Sequence, residues 1–213
     1  VDTSTIVRLL EPYAKLDEQR LWLTSMYIDI LLKWNARMNL TAVRAPEEIV
    51  TRHFGESFFA AEILRSQALP ETAIDLGSGA GFPGIPLAIS MPESRVTLIE
   101  SNQKKSTFLR EVIAALKLKN ATVFTRRGED YPGQAGLVTM RAVERFEKAL
   151  PIAVRLTMPG GRIGLMIGTA QVGQAKTLAD DVELNELVTV PGGHSRILLA
   201  GTKVVKVGQE TRI

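Results

Sequence analysis

The stretch AIDLGSGAGFPGIPLAI, Ala73–Ile89, admits two overlapping readings that imply different chemistry. From Gly79 the letters G-A-G-F-P-G satisfy G-x-G-x-x-G, the pattern of a dinucleotide-binding turn. From Asp75 they read D-x-G-x-G-x-G, an apolar strand that ends in a carboxylate and runs into a glycine loop. Gly77, Gly79 and Gly81 permit a sharp turn and let a ligand approach the backbone where a β-carbon would stand in the way. The dinucleotide form needs amide donors at the start of the next helix, facing a diphosphate. Pro83 and Pro86 remove two such donors, and Asp75 adds a negative charge. A loop of this kind suits a cation better than a diphosphate.

S-adenosylmethionine fits that description, with an ammonium, a positive sulfonium and no phosphate. Glu100 closes the strand RVTLIE, 19 residues beyond Gly81, where an acid accepts ribose hydroxyls. Nicotinamide enzymes use an acid there too, so Glu100 points to a ribose without choosing the cofactor. The next strand leads into RRGED, Arg126–Asp130, where Gly128 and Glu129 lie at the expected place of an adenine ring. Acids after three successive strands, Asp75, Glu100 and Glu129, are more specific than an isolated glycine pattern.

Around this motif the chain alternates strand and helix. Thr72–Leu76, Arg95–Glu100, Ala121–Thr125, Leu137–Met140 and Arg162–Ile167 read as strands, and a helix opens near Ser101 or Asn102 with Phe108, Leu109, Val112, Ile113 and Leu116 as its inward stripe. That order predicts an α/β fold, a parallel sheet covered on both faces. Glu186–Val190 and Arg196–Val205 flank PGGHS as a hairpin that closes the sheet with an antiparallel strand, and Thr169–Asn185 reads as helix. Upstream, Leu23, Tyr27, Ile30, Leu31, Trp34 and Met38 recur at helical spacing, and Pro46 with Glu47 and Glu48 looks like a first helical turn. The expected division is a helical extension over residues 1–70 and a cofactor-binding domain over 71–213. Trp22 and Trp34 are expected to fill the core of the extension.

Composition narrows the chemistry. The 213 residues contain no cysteine, which excludes disulfides, thiolate metal sites and thiol nucleophiles, and two histidines offer little for zinc. No apolar run of 18 residues and no signal-peptide pattern is seen, so a cytoplasmic protein without membrane contact is expected. Net charge is +3, with the basic excess C-terminal to residue 70. Lys104, Lys105, Arg126 and Arg127 belong to a basic span that can contact phosphates or can be a solvated face.

A sulfonium methyl group leaves by in-line displacement, so the acceptor lone pair must be held on the methyl carbon. Attack through pyrimidine carbon 5 needs a cysteine, and the Asn/Asp-Pro-Pro-aromatic turn used for exocyclic amines does not follow strand four, where the chain reads LVTMRAVERF. An acceptor that is nucleophilic when neutral, such as guanine N7, remains. Arg141 ends strand four and is expected to point toward the cofactor loop as the catalytic candidate, touching a phosphate or the O6 edge of guanine. Its alternative is a surface ion pair with Glu144 or Glu129.

KWNARMNLTAV (Lys33–Val43), RHFGES (Arg52–Ser57), DLGSGAGFPGIPLAI, LIESNQKKSTFLREV (Leu98–Val112) and RAV (Arg141–Val143) together resemble the bacterial 16S rRNA guanine-N7 methyltransferases, the RsmG or GidB family. The resemblance implies a seven-stranded Rossmann-like methyltransferase of class I with an N-terminal helical extension, acting with S-adenosylmethionine on a guanine near the decoding site. The expected partner is 16S rRNA or the small ribosomal subunit, and the expected state is a metal-free monomer. Carried over by position, Gly77, Phe82, Gly128, Glu129 and Arg141 would contact the cofactor, beside Asp75, Gly79, Gly81 and Glu100 from the fold. His53 of the RH motif either contacts RNA with Lys104, Lys105, Arg126 and Arg127 or holds the extension against the cofactor domain. Two positions depart from the family pattern: Glu56 stands where an aspartate is usual, and Ile167-Gly168 replaces Lys-Gly after strand five. A small-molecule methyltransferase, a nicotinamide dehydrogenase and a non-catalytic RNA-binding protein with a vestigial fold are the competing readings.

Overall fold

The computed structural model describes residues 1–67 and 69–205. In chain order the helices are α1 (Thr3–Leu10), α2 (Glu18–Met38), α3 (Pro46–Ile49), α4 (Glu56–Gln67), α5 (Gly84–Ser90), α6 (Gln103–Ala115), α7 (Phe146–Leu156) and α8 (Val172–Leu178). The strands are β1 (Thr72–Leu76), β2 (Arg95–Ile99), β3 (Ala121–Phe124), β4 (Ala135–Arg141), β5 (Thr157–Gly168), β6 (Val182–Thr189) and β7 (Arg196–Lys203). They form one seven-stranded sheet in the order β3-β2-β1-β4-β5-β7-β6. β1 pairs in parallel with both β2 and β4, and β7 runs antiparallel to β5 and β6. From β1 the chain winds outward through β2 and β3 and then returns to β4 on the other side. The sheet therefore reverses between β1 and β4, and a ligand crevice opens at their carboxyl ends.

Local chemistry sets the helix ends. Asp17 caps α2, its carboxylate accepting from the Arg20 amide at 2.8 Å, and Asn39 ends it in the left-handed conformation, which asparagine tolerates. Asn102 caps α6 through the amides of Lys104 and Lys105. Between α3 and α4, Val50–Gly55 forms a wide π turn that carries His53. Such turns are frequent at functional sites. Gly55 ends it because the Tyr13 ring lies within 2.8 Å of where a β-carbon would be.

One apolar layer joins the N-terminal helices, α5 and α6 to one sheet face, and a second lies under α7 and α8. Tyr27 of α2 is central to the first, its ring centroid 4.9 Å from Phe54 and 5.4 Å from Phe82. Among the described residues no helix is long and apolar enough to cross a membrane.

Two expectations need correction. Thr169–Asn185 is not one helix: a short turn and α8 end by Leu178, and Val182 already begins β6. The alternation of buried Val182 and Leu184 with exposed neighbours is a strand signal that the two glycines and weak periodicity hid. Trp22 is not core; it is 58% exposed on α2. Trp34 is half-buried, edge-on to Phe108, with its indole N–H donating to Glu111 at 3.0 Å.

Candidate active site

The three loop glycines all have positive φ, at 71°, 57° and 91° for Gly77, Gly79 and Gly81, and they divide the work. Gly77 and Gly79 line the cavity; a β-carbon on Gly79 would find no heavy atom nearer than 3.8 Å, whereas one on Gly77 would press on the Val143 side chain at 3.2 Å. Gly81 is buried, and a β-carbon there would run into the Tyr27 hydroxyl. That hydroxyl donates to the Ala80 carbonyl, so Gly81 serves the docking of α2 and lines no cavity beside the loop.

Asp75 also departs from its expected place. Its carboxylate is fully buried, accepting from the Gly84 amide and the Thr139 hydroxyl at 3.0 Å each. Burial pushes its pKa up to about 6. It pins the start of α5 and does not face a ligand. The first amides of α5 are consequently engaged within the protein, Gly84 with Asp75 and Ile85 with the Gly81 carbonyl at 2.8 Å. None is left to greet a diphosphate, so the nicotinamide reading loses its anchor.

Two cavities meet at the carboxyl rim. One, of about 530 Å³, is lined by Thr41, His53, Gly77, Gly79, Phe82, Glu100, Lys105 and Arg141. The other, of about 400 Å³, is lined by Gly77, Glu100, Arg126, Arg127, Gly128, Glu129, Arg145 and Lys148. Glu100 stands where they join, held by the Gly79 amide on Oε2 at 2.9 Å and the Asn102 amide on Oε1 at 2.7 Å. Each oxygen keeps a lone pair for a ligand hydroxyl. Gly128 is buried at the second cavity because a β-carbon would press on Ile152 at 3.0 Å, and its carbonyl accepts from Arg155 at 2.6 Å.

Arg141 lines the cavity that the glycine loop also lines, but its ion pair is neither of those expected. It donates to Glu56 Oε2 at 3.0 Å, to the Arg52 carbonyl at 2.5 Å and to His53 Nδ1 at 3.1 Å. Glu56 Oε1 lies 2.6 Å from Arg196 Nε, an ion pair without hydrogen-bond alignment. His53 stacks on Phe82 with centroids 5.0 Å apart, and its Nε2 meets Thr41 Oγ1 at 2.7 Å. Burial first, then the charges of Arg141 and Arg52, push the His53 pKa down to about 3, so the ring is neutral at neutral pH. Both ring nitrogens are occupied within the protein, as the docking role expected for His53 requires.

Matching against family models finds rRNA small subunit methyltransferase G over residues 21–196. The chain belongs to that family. Within the rRNA small subunit methyltransferase G family it is 38% identical over 203 residues to the Roseiflexus sp. (strain RS-1) member, covering 89% of this chain and 86% of that one. The Xanthomonas campestris pv. campestris (strain B100) member is 42% identical over 144 residues, 67% of this chain and 66% of its own length, so that match spans just under two thirds of the relative. Among solved structures, a SAM-dependent methyltransferase from Aquifex aeolicus shares the fold at TM-score 0.60 and 17% identity, over 78% of this chain and 97% of that one. TYW2 of M. jannaschii, solved with AdoMet, does so at TM-score 0.57 and 20% identity, over 71% and 74%.

In this family member the cradle fits S-adenosylmethionine by its own chemistry. Bare glycine backbone at Gly77 and Gly79, a carboxylate with free lone pairs at Glu100, and Glu129 beside Gly128 suit an aminoacyl sulfonium, a ribose and a purine in that order. Of the residues expected from sequence, Gly77, Gly79, Phe82, Glu100, Gly128, Glu129, Arg141, Lys105, Arg126, Arg127 and His53 line the joined cavities, whereas Asp75, Gly81 and the exposed Lys104 do not. Thr41, Arg145 and Lys148 line them too and were not singled out as site residues. Arg145 sits in the left-handed conformation just before α7, a placement with no periodic signal. Thr41 looks like a turn cap until α2 is docked. Among the described residues no group of three or more His, Asp or Glu could hold a metal ion.

Proposed function

We propose that this chain transfers the methyl group of S-adenosylmethionine to N7 of a guanine in the 16S rRNA of the small ribosomal subunit, in the loop near the decoding site. The observation that carries this reading is a cofactor-shaped cradle whose lining histidine is no usable general base: His53 is neutral, and both of its nitrogens are engaged. The chain has no cysteine for covalent attack. An acceptor that must first give a proton to a histidine or a thiolate is poorly served here. Guanine N7 needs no deprotonation, because its lone pair is available in the neutral base.

When bound, S-adenosylmethionine supplies an electrophilic methyl on a positive sulfur. Glu100 and the glycine backbone would hold its ribose and aminoacyl parts, and Gly128 with Glu129 would receive the adenine. Phe82, stacked between His53 and Tyr27, walls the cavity with an apolar surface that excludes water. Arg141, locked by Glu56, offers a fixed guanidinium to the RNA side. The contribution of these groups is positioning, and well-oriented reactants are worth about 7–11 kcal/mol of barrier.

The test is incubation with labelled methyl donor and unmethylated small subunits or naked 16S rRNA, followed by nucleoside analysis. Label in N7-methylguanosine supports the reading; label confined to small molecules, or none, overturns it. Glu100→Ala and Gly79→Val should abolish cofactor binding in calorimetric titration while circular dichroism still shows a folded chain. Retained affinity would remove the cradle from the argument.

A further inference from the structure

The chain of contacts from Arg141 to Thr41 has a fixed donor direction. A guanidinium has only N–H groups and no acceptor, so the Arg141 contact at 3.1 Å requires His53 Nδ1 to be the bare, accepting nitrogen. The proton of the neutral ring then resides on Nε2, and the 2.7 Å contact has Nε2–H donating to Thr41 Oγ1. The Val43 amide donates to the same oxygen at 3.1 Å. A hydroxyl oxygen has two lone pairs and one proton. Both lone pairs of Thr41 are therefore taken, and among the described residues its proton has no acceptor. Thr41 lines the cavity beside Phe82, Arg141 and the glycine loop.

We infer that Thr41 is a specificity-determining residue for the methyl acceptor, a hydroxyl that can only donate and so selects a purine with an oxygen at position 6. The inference rests on the proposed guanine reading and deepens it. Guanine carries the acceptor O6 next to N7, whereas adenine carries the N6 amino donor there. A hydroxyl with filled lone pairs meets guanine with a hydrogen bond and adenine with two opposed donors. Adenine N7 is also a nucleophilic ring nitrogen, so the methyl chemistry alone does not exclude it. His53 acts as a positioning residue through Thr41: if the ring were absent, the hydroxyl would regain an accepting lone pair and tolerate the amino group.

The experiment compares methylation of small-subunit rRNA carrying guanine, adenine or 2-aminopurine at the target position, by the parent chain and by Thr41→Val, Thr41→Ser and His53→Phe. Thermal melts and calorimetric titration with S-adenosylmethionine accompany each variant. The parent should prefer guanine over 2-aminopurine, which lacks O6 and with it the N1 proton, by about tenfold or more, the ratio equivalent to one specific hydrogen bond, and the Thr41 variants separate the O6 part from the N1 part. Thr41→Val should erase that ratio with cofactor affinity unchanged, and Thr41→Ser should retain it. His53→Phe should raise the relative rate on adenine while keeping the stacked ring against Phe82. An unchanged guanine preference in Thr41→Val overturns the inference and leaves the methyltransferase reading standing. Loss of cofactor affinity in Thr41→Val with the base preference intact also overturns it, assigning the hydroxyl to the cofactor. A parent chain that binds the cofactor and methylates no RNA sinks the functional reading, and the inference with it.

Discussion

Glu56 meets Arg141 at 3.0 Å and Arg196 at 2.6 Å with a side chain that is almost wholly buried. Its two oxygens each reach a guanidinium group. Removing it strands a buried cation, so Glu56→Ala should destabilise the fold by about 3–5 kcal/mol in urea unfolding. A loss below about 1 kcal/mol would mean the pair is as weak as a surface bridge. His53 gives a pH prediction. Its folded pKa is about 3 against about 6.5 in the unfolded chain, so between those values only the unfolded chain takes the proton. Stability from this residue is complete above pH 6.5 and declines as pH falls toward 3. Asp75 has the opposite sign: its pKa rises from 3.8 to about 6, so the folded chain holds the extra proton and gains as pH falls through that window. Comparing parent with His53→Asn cancels the Asp75 part. On moving from pH 7.5 to pH 5 the parent should lose about 2 kcal/mol more than the variant, and parallel pH profiles would contradict a neutral buried imidazole.

At the scale of elements, α2 is fastened to the glycine loop by a tyrosine that arrives from 53 residues upstream. The buried Tyr27 hydroxyl holds the Ala80 carbonyl, and the rings of Phe54 and Phe82 lie about it. Tyr27→Phe should cost about 1–2 kcal/mol and weaken cofactor binding, because the loop carbonyl loses its partner. The glycines separate by the same geometry. Gly81→Ala combines a positive φ with a collision and should cost about 2–5 kcal/mol in melts. Gly79→Ala, with open space above it, should cost only the backbone strain of about 1–2 kcal/mol. Similar melting points for the two variants would show that Gly81 does not seat α2. Local signals announced several of these elements: the Asn102 cap of α6, the parallel strand rhythm and the hairpin at PGGHS are where the residues place them. The π turn at Val50–Gly55 left no such trace, since its register depends on the Tyr13 ring filling the space beside Gly55.

For the whole molecule the charge layout is what matters to a polyanion. Arg126, Arg127, Arg145 and Lys148, all exposed, rim the cavity proposed for the nucleoside part of the cofactor, and Lys105 lines the cavity joined to it from α6. RNA affinity should fall with rising salt as counterions are released, and the double variant Arg126→Gln, Arg127→Gln should flatten that slope by about 1–2 units of log K per log salt. Filter binding over a salt series measures it; an unchanged slope would place the RNA path elsewhere. The melting point should not move, because neither side chain is buried.

The proposed cofactor cradle was legible in the chain because it is made of local units: a strand, a glycine turn and an acid at the end of the next strand, each adjacent in sequence and brought together by the rule that ligands sit at a sheet's carboxyl edge. What each side chain does there was settled by contacts between distant segments. Asp75 turned inward because Gly84 and Thr139 offered it two donors, Gly81 became a seat for Tyr27, and Arg141 found Glu56 and His53 across 85 and 88 residues. Hydrogen-bond direction and burial are properties of such encounters, which periodicity along one strand or helix does not encode.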